Sequence, residues 1–458
     1  MFHRLFRALR DPRRIAVTAA LAVASLTTVA WSQQVSAQPS PSTTLTQVTG
    51  AGSSFAANEI QAWVTETALA PYNYPVVYTS SSSSDGRFEF THETVNYAVS
   101  DIPYQPINDA APPSFPFVYV PVTAGGLSFM YNLPHLACQP GDQCDTTLQL
   151  SSYSACALMT GGVTNWDSPV IQADNPGLAL PDLAVAPVIR TDASGDNFVL
   201  QEWCIGEQPQ LWSAFVSSSA VASFPNQVTD LSTTQPRSDW PLFASAVQES
   251  GSAAAASAVS STVGAITGVE TSYAIEAGFP YARVENASGY YTLPTPLGVD
   301  SALAYATQDP CPGSDCGIQQ LNFNGQGRWV YNPSTYSYLL APASTTADQF
   351  SDADGDTLSS FFDYALTIGQ EPAPQGYAGL GLQLEQYGIN TIQATIPGAV
   401  PPTSDEQSHY ADGDFTPSEV AAGDTTPVPG TAGPSGGTGP VYSVSSESTT
   451  STTTTSTT

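Results

Sequence analysis

Three times between residues 45 and 203, a strand-like run leads into a loop of small residues and then into a helix-like run. The first unit is Leu45 to Thr49, the loop Gly50-Ala-Gly-Ser-Ser-Phe55, and a helix expected over Asn58 to Leu69 with Ile60, Trp63 and Val64 facing inward. The second is Pro75 to Tyr78, the serine run Ser80 to Ser84 with Asp85-Gly86, and a helix-like stretch beyond it. The third is Leu183 to Ile189, Arg190-Thr-Asp-Ala-Ser-Gly-Asp196, and a helix over Asn197 to Trp203. Such alternation predicts an α/β fold with mainly parallel sheets, each loop lying where a strand ends and a helix begins. A helix N-terminus offers unpaired backbone N–H groups and the positive end of the helix dipole, while Ser and Gly permit close approach. Three such loops converging would make an anion site from mostly neutral donors. For any single loop the competing reading is an ordinary turn or cap; recurrence at one topological place weighs against it.

Charge limits which anions are in question. The chain holds 40 Asp plus Glu against 10 Lys plus Arg, and every one of the ten is arginine. Five of those, Arg4, Arg7, Arg10, Arg13 and Arg14, belong to a segment that reads as a secretory signal over 1–37. It has a basic start, an apolar run from Ile15 to Ala30, and Val35-Ser36-Ala37 as a small-residue cleavage site. The apolar run is short for a membrane span. Without that segment, Arg87, Arg190, Arg237, Arg283 and Arg328 face 39 acidic residues. Nucleic acid binding, which draws its affinity from basic residues on phosphates, is thereby excluded, and adhesion to an anionic membrane is disfavoured. Six cysteines agree with an oxidising, extracytoplasmic location. Turn-rich segments could join Cys138 to Cys144 and Cys311 to Cys316, leaving Cys156 for Cys204; fifteen connectivities are formally open. A zinc site competes poorly, because the spacings are not paired Cys-x-x-Cys, and no metal or cofactor is expected.

From about Pro401, Pro, Gly, Ser and Thr dominate to the end. Residues 399–458 are therefore expected to be a disordered tail that cannot bury enough apolar surface to offset its ordering entropy. The stretch 38–398 is comfortable for two domains.

The loops also carry a family resemblance. Gly50 to Phe55 with Asn58 to Trp63 resembles the opening motif of the extracytoplasmic phosphate-binding proteins of ABC transporters. Tyr78 with Ser83 to Gly86, Tyr97-Ala-Val-Ser-Asp101-Ile-Pro103, and Gly125 to Leu133 are similar to its next segments. Gly161 to Asp167, Asn175-Pro-Gly177, Leu180-Pro181, Arg190 to Gly195, Gly264 to Glu270, Asn286 to Gly289, and Ile368 to Gln370 through Gly376-Tyr377 continue the family's order nearly to residue 395. The resemblance implies a two-lobed periplasmic-binding-protein type II fold with hinge crossovers: lobe I from 38–121 and 285–398, lobe II from 122–284. It also implies a monomer that binds inorganic phosphate between the lobes and presents it to ABC permease subunits.

Carried over by position, the resemblance implies that Ser54 supplies a hydroxyl and Phe55 a backbone N–H. Ser83 would donate from the second loop, within one residue because the serines run together. Arg190 would make a charge-assisted contact, oriented by Asp192, and Ser194 and Gly195 would close the shell. Asp101 has its own logic: a carboxylate only accepts, so it welcomes an oxyanion that still carries a proton, as phosphate does and sulfate does not. Asp196 departs from the family, which usually has threonine there. It either favours the helix dipole and points away, or is a second acceptor suited to phosphate carrying two protons.

Rival classes are weaker. An acyl-transfer enzyme lacks its parts: Ser194 lies in no Gly-x-Ser-x-Gly elbow, there is no lysine, and outside the signal and tail only His92 and His135 remain. A secreted phosphatase shows no clustered acidic ligand motif. A surface structural or adhesion protein that kept the binding fold is the other alternative. Asp352-Ala-Asp-Gly-Asp356 with Asp363 hints at a calcium loop, but its glycine is fourth rather than sixth, so it reads as an acidic turn capping a helix from Thr357.

Overall fold

The computed structural model describes residues 45–134, 136–138, 146–310, 315–347, 350–371, 375–411, 413–423 and 428–429. The expected signal at 1–37 and the end of the tail at 430–458 lie outside the described residues. So do Cys144, Cys311 and His135.

Nine of the described strands join one sheet. In chain order they are β1 (Val48–Gly52), β2 (Val76–Ser80), β3 (Tyr97–Ser100), β4 (Phe117–Tyr131), β5 (Ala186–Arg190), β6 (Val247–Glu249), β7 (Ala265–Glu270), β8 (Ser334–Pro342) and β9 (Tyr377–Ala378). Across the sheet the order is β2-β1-β3-β8-β4-β7-β5-β6, with β9 also on β4. The strands β2, β1 and β3 run parallel at one end, and β7, β5 and β6 run parallel at the other. The long strand β4 joins the two sets. Its first part pairs antiparallel with β8 from Phe117 to Gly126, and its last part pairs antiparallel with β7 from Leu127 to Tyr131. Its residues are buried almost throughout, as expected of a strand covered on both faces. The register with β8 slips next to Pro121, which cannot donate to the ladder.

The hydrophobic packing changes partners along that same strand. Tyr119, Val120, Val122 and Ala124 belong to a core with Val48, Ile60, Trp63, Val99, Leu339, Phe361, Phe362 and Ile392. Leu127, Phe129 and Tyr131 belong to another with Trp166, Ile189, Trp203, Trp212, Trp240 and Ile266. Two apolar cores strung on one shared strand are the two lobes of the expected α/β architecture. Cys156 and Cys204, both fully buried in the second core, form a disulfide between the helix Ser152–Met159 and the helix Gly195–Glu207. Cys138 and Cys316 are also disulfide-bonded, but the pairings expected for them fall on residues outside the described set.

Two expectations need correcting. Residues 399–411 and 413–423 are folded onto the body. Val420 is fully buried against Ala302 and Val330, and Glu406 is 2% exposed. The apolar residues are few but placed to be buried, so average composition misled. This segment walls a cavity of about 450 Å³ with Asp300, Leu303 and Leu384, well apart in sequence from the three loops. The acidic run at 352 is also not a turn before a helix but the start of one. The helix Asp352–Ala365 begins there, with Ser351 and Asp354 capping each other reciprocally.

Candidate functional site

The helices that follow the parallel strands are α1 (Ala57–Thr67) after β1, α2 (Ser83–Thr91) after β2, α3 (Gly195–Glu207) after β5 and α4 (Ser252–Ser261) after β6. Their N-termini gather at the carboxyl ends of the strands, where open α/β sheets bind ligands. Two of them are capped by serine: Ser82 accepts from the Asp85 N–H, and Ser194 from the Asn197 N–H.

On the first lobe, three tyrosine hydroxyls fix the loop after β1. Tyr78 donates to the Ser53 carbonyl at 2.7 Å and Tyr273 to the Ser54 carbonyl at 2.6 Å; Tyr377 donates to the Phe55 carbonyl. Asp101, at the end of β3, is 4% exposed and accepts from three hydroxyls. Ser53 reaches Oδ1 at 2.6 Å, Ser337 reaches Oδ1 at 2.5 Å, and Ser83 reaches Oδ2 at 2.9 Å. No cation meets it. Burial, reinforced by the charge of Asp196, pushes Asp101 up to about 6 against the pull of these hydroxyls. Behind it Arg87, fully buried, ties the second loop to the end of β3 and the segment beyond it: it pairs with Asp109 at 2.8 Å and donates to the hydroxyls of Ser84 and Ser100.

On the second lobe everything is organised by Arg190, the last residue of β5. Its Nε donates to Asp192 Oδ1 at 3.1 Å and its Nη2 to Asp192 Oδ2, a bidentate fork. Its Nη1 donates to Asp196 Oδ2 at 2.8 Å and to the Ser252 hydroxyl at 3.0 Å. Burial opposes the guanidinium charge, but Asp196 and Asp192 more than offset it and hold Arg190 protonated more firmly than usual. Asp192 is held below the usual carboxylate range because Arg190 outweighs its burial. Asp196 goes the other way: burial raises it despite Arg190. Its Oδ1 is buried with no hydrogen-bond partner. Asp196 therefore does not point away; it faces inward, with one oxygen committed to Arg190 and Ser252.

The two sides touch. The Ser54 and Ser252 hydroxyls are 2.8 Å apart, and the Ser84 N–H donates to the Ala193 carbonyl at 3.4 Å. Gly195 lies against Asp101 so closely that a Cβ would sit 2.3 Å from Oδ2 and 2.8 Å from the Ser83 hydroxyl. Only glycine lets the start of α3 meet the first lobe here.

All the residues singled out in the sequence (Ser54, Phe55, Ser83, Asp101, Arg190, Asp192, Ser194, Gly195 and Asp196) thus fall on loops of this one cluster. Phe55 is wholly buried, edge-on to the Tyr377 ring. Three further members escaped the sequence reading. Ser53, adjacent to Ser54, is the residue that bonds Asp101. Ser252 had a readable signal, because Val247 to Ser252 repeats the strand, small loop and helix a fourth time, hidden by the Ala/Ser bias that follows. Ser337 sits inside β8, and nothing local marks a buried strand serine as a partner of Asp101.

A family model described as a PBP superfamily domain matches residues 37–367. Among curated relatives, phosphate-binding protein PstS of Methanocaldococcus jannaschii is 25% identical over 373 residues, covering 78% of this chain and 88% of that protein. Phosphate-binding protein PstS 2 of Mycobacterium tuberculosis is 23% identical over 363 residues, covering 76% and 85%. Among solved structures, a high-affinity periplasmic phosphate-binding protein bound with phosphate at pH 8.5 aligns with a TM-score of 0.52 at 14% identity, covering 76% of this chain and 94% of that one. The ancestral soluble variant of the human phosphate binding protein aligns with a TM-score of 0.53 at 15% identity, covering 78% and 100%. At such identities the structures speak for the fold alone. The family model spans most of the 458 residues, and the chain belongs to the PBP superfamily.

Proposed function

We propose that this chain binds inorganic phosphate outside the cytoplasm, as the substrate-binding component of an ABC phosphate importer and not as an enzyme. The observation that supports it most is the convergence of four strand-to-helix loops on Arg190, with the inward-facing carboxyls of Asp101 and Asp196 on opposite sides. The curated relatives are named for phosphate. Ser54, the Phe55 N–H, Ser83, Arg190, Ser194 and Gly195 donate to the ligand, Asp192 orients Arg190, and Asp101 and Asp196 accept from it. The lobes divide at 38–121 with 285–398 and at 122–284. The protein acts as a monomer, free or held at the cell wall, and delivers phosphate to permease subunits.

Charge selects the form of the ligand. One guanidinium and three carboxyls leave the ionised site net negative, so an anion enters on hydrogen bonds rather than on field. Two inward acceptors suit phosphate that carries two protons, which sulfate lacks. Calorimetric titration of the mature protein with phosphate tests this. Binding abolished by Arg190→Ala supports the site; equal binding by that variant sinks it. Co-purification with permease and ATPase subunits tests the transport role separately.

A further inference from the structure

Directly behind the loop after β1 lies a second pair of acids that the anion site does not use. Glu59 on α1 and Glu270 at the end of β7 are both 0% exposed, and the charge of Glu270 helps to raise Glu59. They come from different lobes and both lie beside the shared strand. Glu59 Oε2 accepts from the hydroxyl of Thr123 on β4, and Glu270 pairs in register with Leu127, where β4 changes partners. Glu270 Oε2 accepts the N–H of Ser272 at 2.9 Å and its hydroxyl, and that hydroxyl accepts from Asn58 Nδ2 of the other lobe at 2.8 Å. Each acid has one oxygen satisfied, while Glu59 Oε1 and Glu270 Oε1 are buried without a partner.

The groups that face this pair do not neutralise it. Around Glu59 they are Thr123, Glu270 and Tyr377; around Glu270 they are Ser272, Tyr377 and the carboxyl of Asp196, with Tyr273 close by. None of these is a cation. Arg190, the nearest cation felt by Tyr273, is committed to Asp192 and Asp196. The Tyr377 hydroxyl stands against Glu270, but its single proton goes to the Phe55 carbonyl. A buried carboxylate oxygen to which nothing donates is costly. Two ionised carboxylates sealed from water with no counter-charge are more costly still. A proton on either acid removes both problems, turning the idle oxygen into a donor.

We infer that Glu59 and Glu270 form a proton-binding pair at the lobe crossover, which takes up a proton when the cleft closes and releases it when the lobes part. Closure brings Asn58 to Ser272 and shuts water out; opening lets water solvate the carboxyls, which then ionise in the ordinary glutamate range. Burial leads in pushing Glu270 up to about 8, and burial leads in holding Glu59 well above its usual range, so neutral pH lies inside the window. Ligand binding that requires closure therefore carries protons with it, and affinity falls with rising pH up to roughly tenfold per unit for each proton taken up. This coupling rests on the phosphate reading, and it is separate from Asp101 and Asp196, which face the ligand.

The test is calorimetric titration with phosphate at pH 7 in buffers of different ionisation enthalpy, which counts protons taken up per phosphate bound. The chain as it stands, Glu59→Gln and Glu270→Gln are compared. Each variant is expected to take up about one proton fewer, with a shallower fall in affinity between pH 7 and pH 9. An unchanged count in both variants overturns the inference. If no phosphate binds at any pH, the phosphate reading fails, and small-angle scattering of the unliganded protein decides the pair. Closure that takes up a proton makes the protein contract as pH falls from 9 to 7; a contraction that is smaller in Glu270→Gln upholds the inference, and identical profiles refute it.

Discussion

Asp101 and Asp196 are the same residue type, equally buried, on opposite sides of one cleft, and they are held in opposite ways. Asp101 receives three serine hydroxyls and no positive charge. Asp196 is paired with Arg190 and leaves one oxygen idle. The first lobe thus contributes an acceptor held by hydroxyls alone, and the second contributes one guanidinium already paired with two carboxyls. In a protein so poor in basic residues, the proposed phosphate site has one guanidinium, oriented by a bidentate partner. On that reading, specificity for a protonated anion would fall to the carboxyls on both sides.

The comparison can be broken most severely at the charge. Arg190→Ala leaves Asp192 and Asp196 buried without their partner, which costs about 3–5 kcal/mol. We expect phosphate binding to be lost and the melting temperature to drop by several degrees, both read on one sample by calorimetry with and without phosphate. Gly195→Ala attacks the contact between the two sides. Its Cβ would enter the space of Asp101 Oδ2, and overpacking of this kind costs about 1–3 kcal/mol. The expected result is roughly tenfold to hundredfold weaker phosphate binding, with little change in unliganded stability if the lobes open to relieve the clash.

Exchanging the acceptors sharpens the contrast. Asp101→Asn puts an amide where three hydroxyls donate, so we expect roughly tenfold or greater weakening of phosphate binding and poorer rejection of sulfate. Asp196→Asn keeps an acceptor for Arg190 and removes a charge. It should lessen the pH dependence, with binding at pH 8 equal to or tighter than that of the parent chain. Isothermal titrations of both variants at pH 6 and 8 check the pair.

The smallest effect expected is on the stability of the closed form, in which these acids are buried. Asp101 is raised to about 6 and Glu270 to about 8, so the folded state binds their protons more tightly than the unfolded chain does. The sign is opposite to that of salt-bridged acids. Stability from these groups is greatest in mild acid and declines as pH rises from the ordinary carboxylate range through 6 and on to 8. Asp192, held below the usual range, works the other way and loses its contribution only in stronger acid. A melting profile from pH 5 to 9 should therefore slope downward toward the alkaline side, and one that rises throughout would contradict the assignment.

What is legible in the sequence is the local pattern. Strand, small loop and helix are encoded within about twenty residues, so Ser54, Ser83, Arg190 and Gly195 can be named from that pattern and the order of the motifs. Contacts between distant segments are not legible. Ser337 reaches Asp101 across 236 positions and Tyr377 reaches the Phe55 carbonyl across 322, and neither residue differs locally from an ordinary buried strand residue. Ser252 is masked by the alanine-rich helix that follows its loop. The direction of Asp196 is set by the fold alone: only the placement of Ser252 and Arg190 turns its carboxyl inward.

The central claim is that the cleft holds phosphate through carboxyl acceptors that require protons on the ligand. The most direct test is to titrate the mature protein with phosphate and with sulfate, each at pH 6 and pH 8, by calorimetry. Phosphate should bind at both values and more weakly at pH 8, and sulfate should give no heat of binding at either. Sulfate bound as tightly as phosphate, or phosphate bound more tightly at pH 8 than at pH 6, would contradict the account.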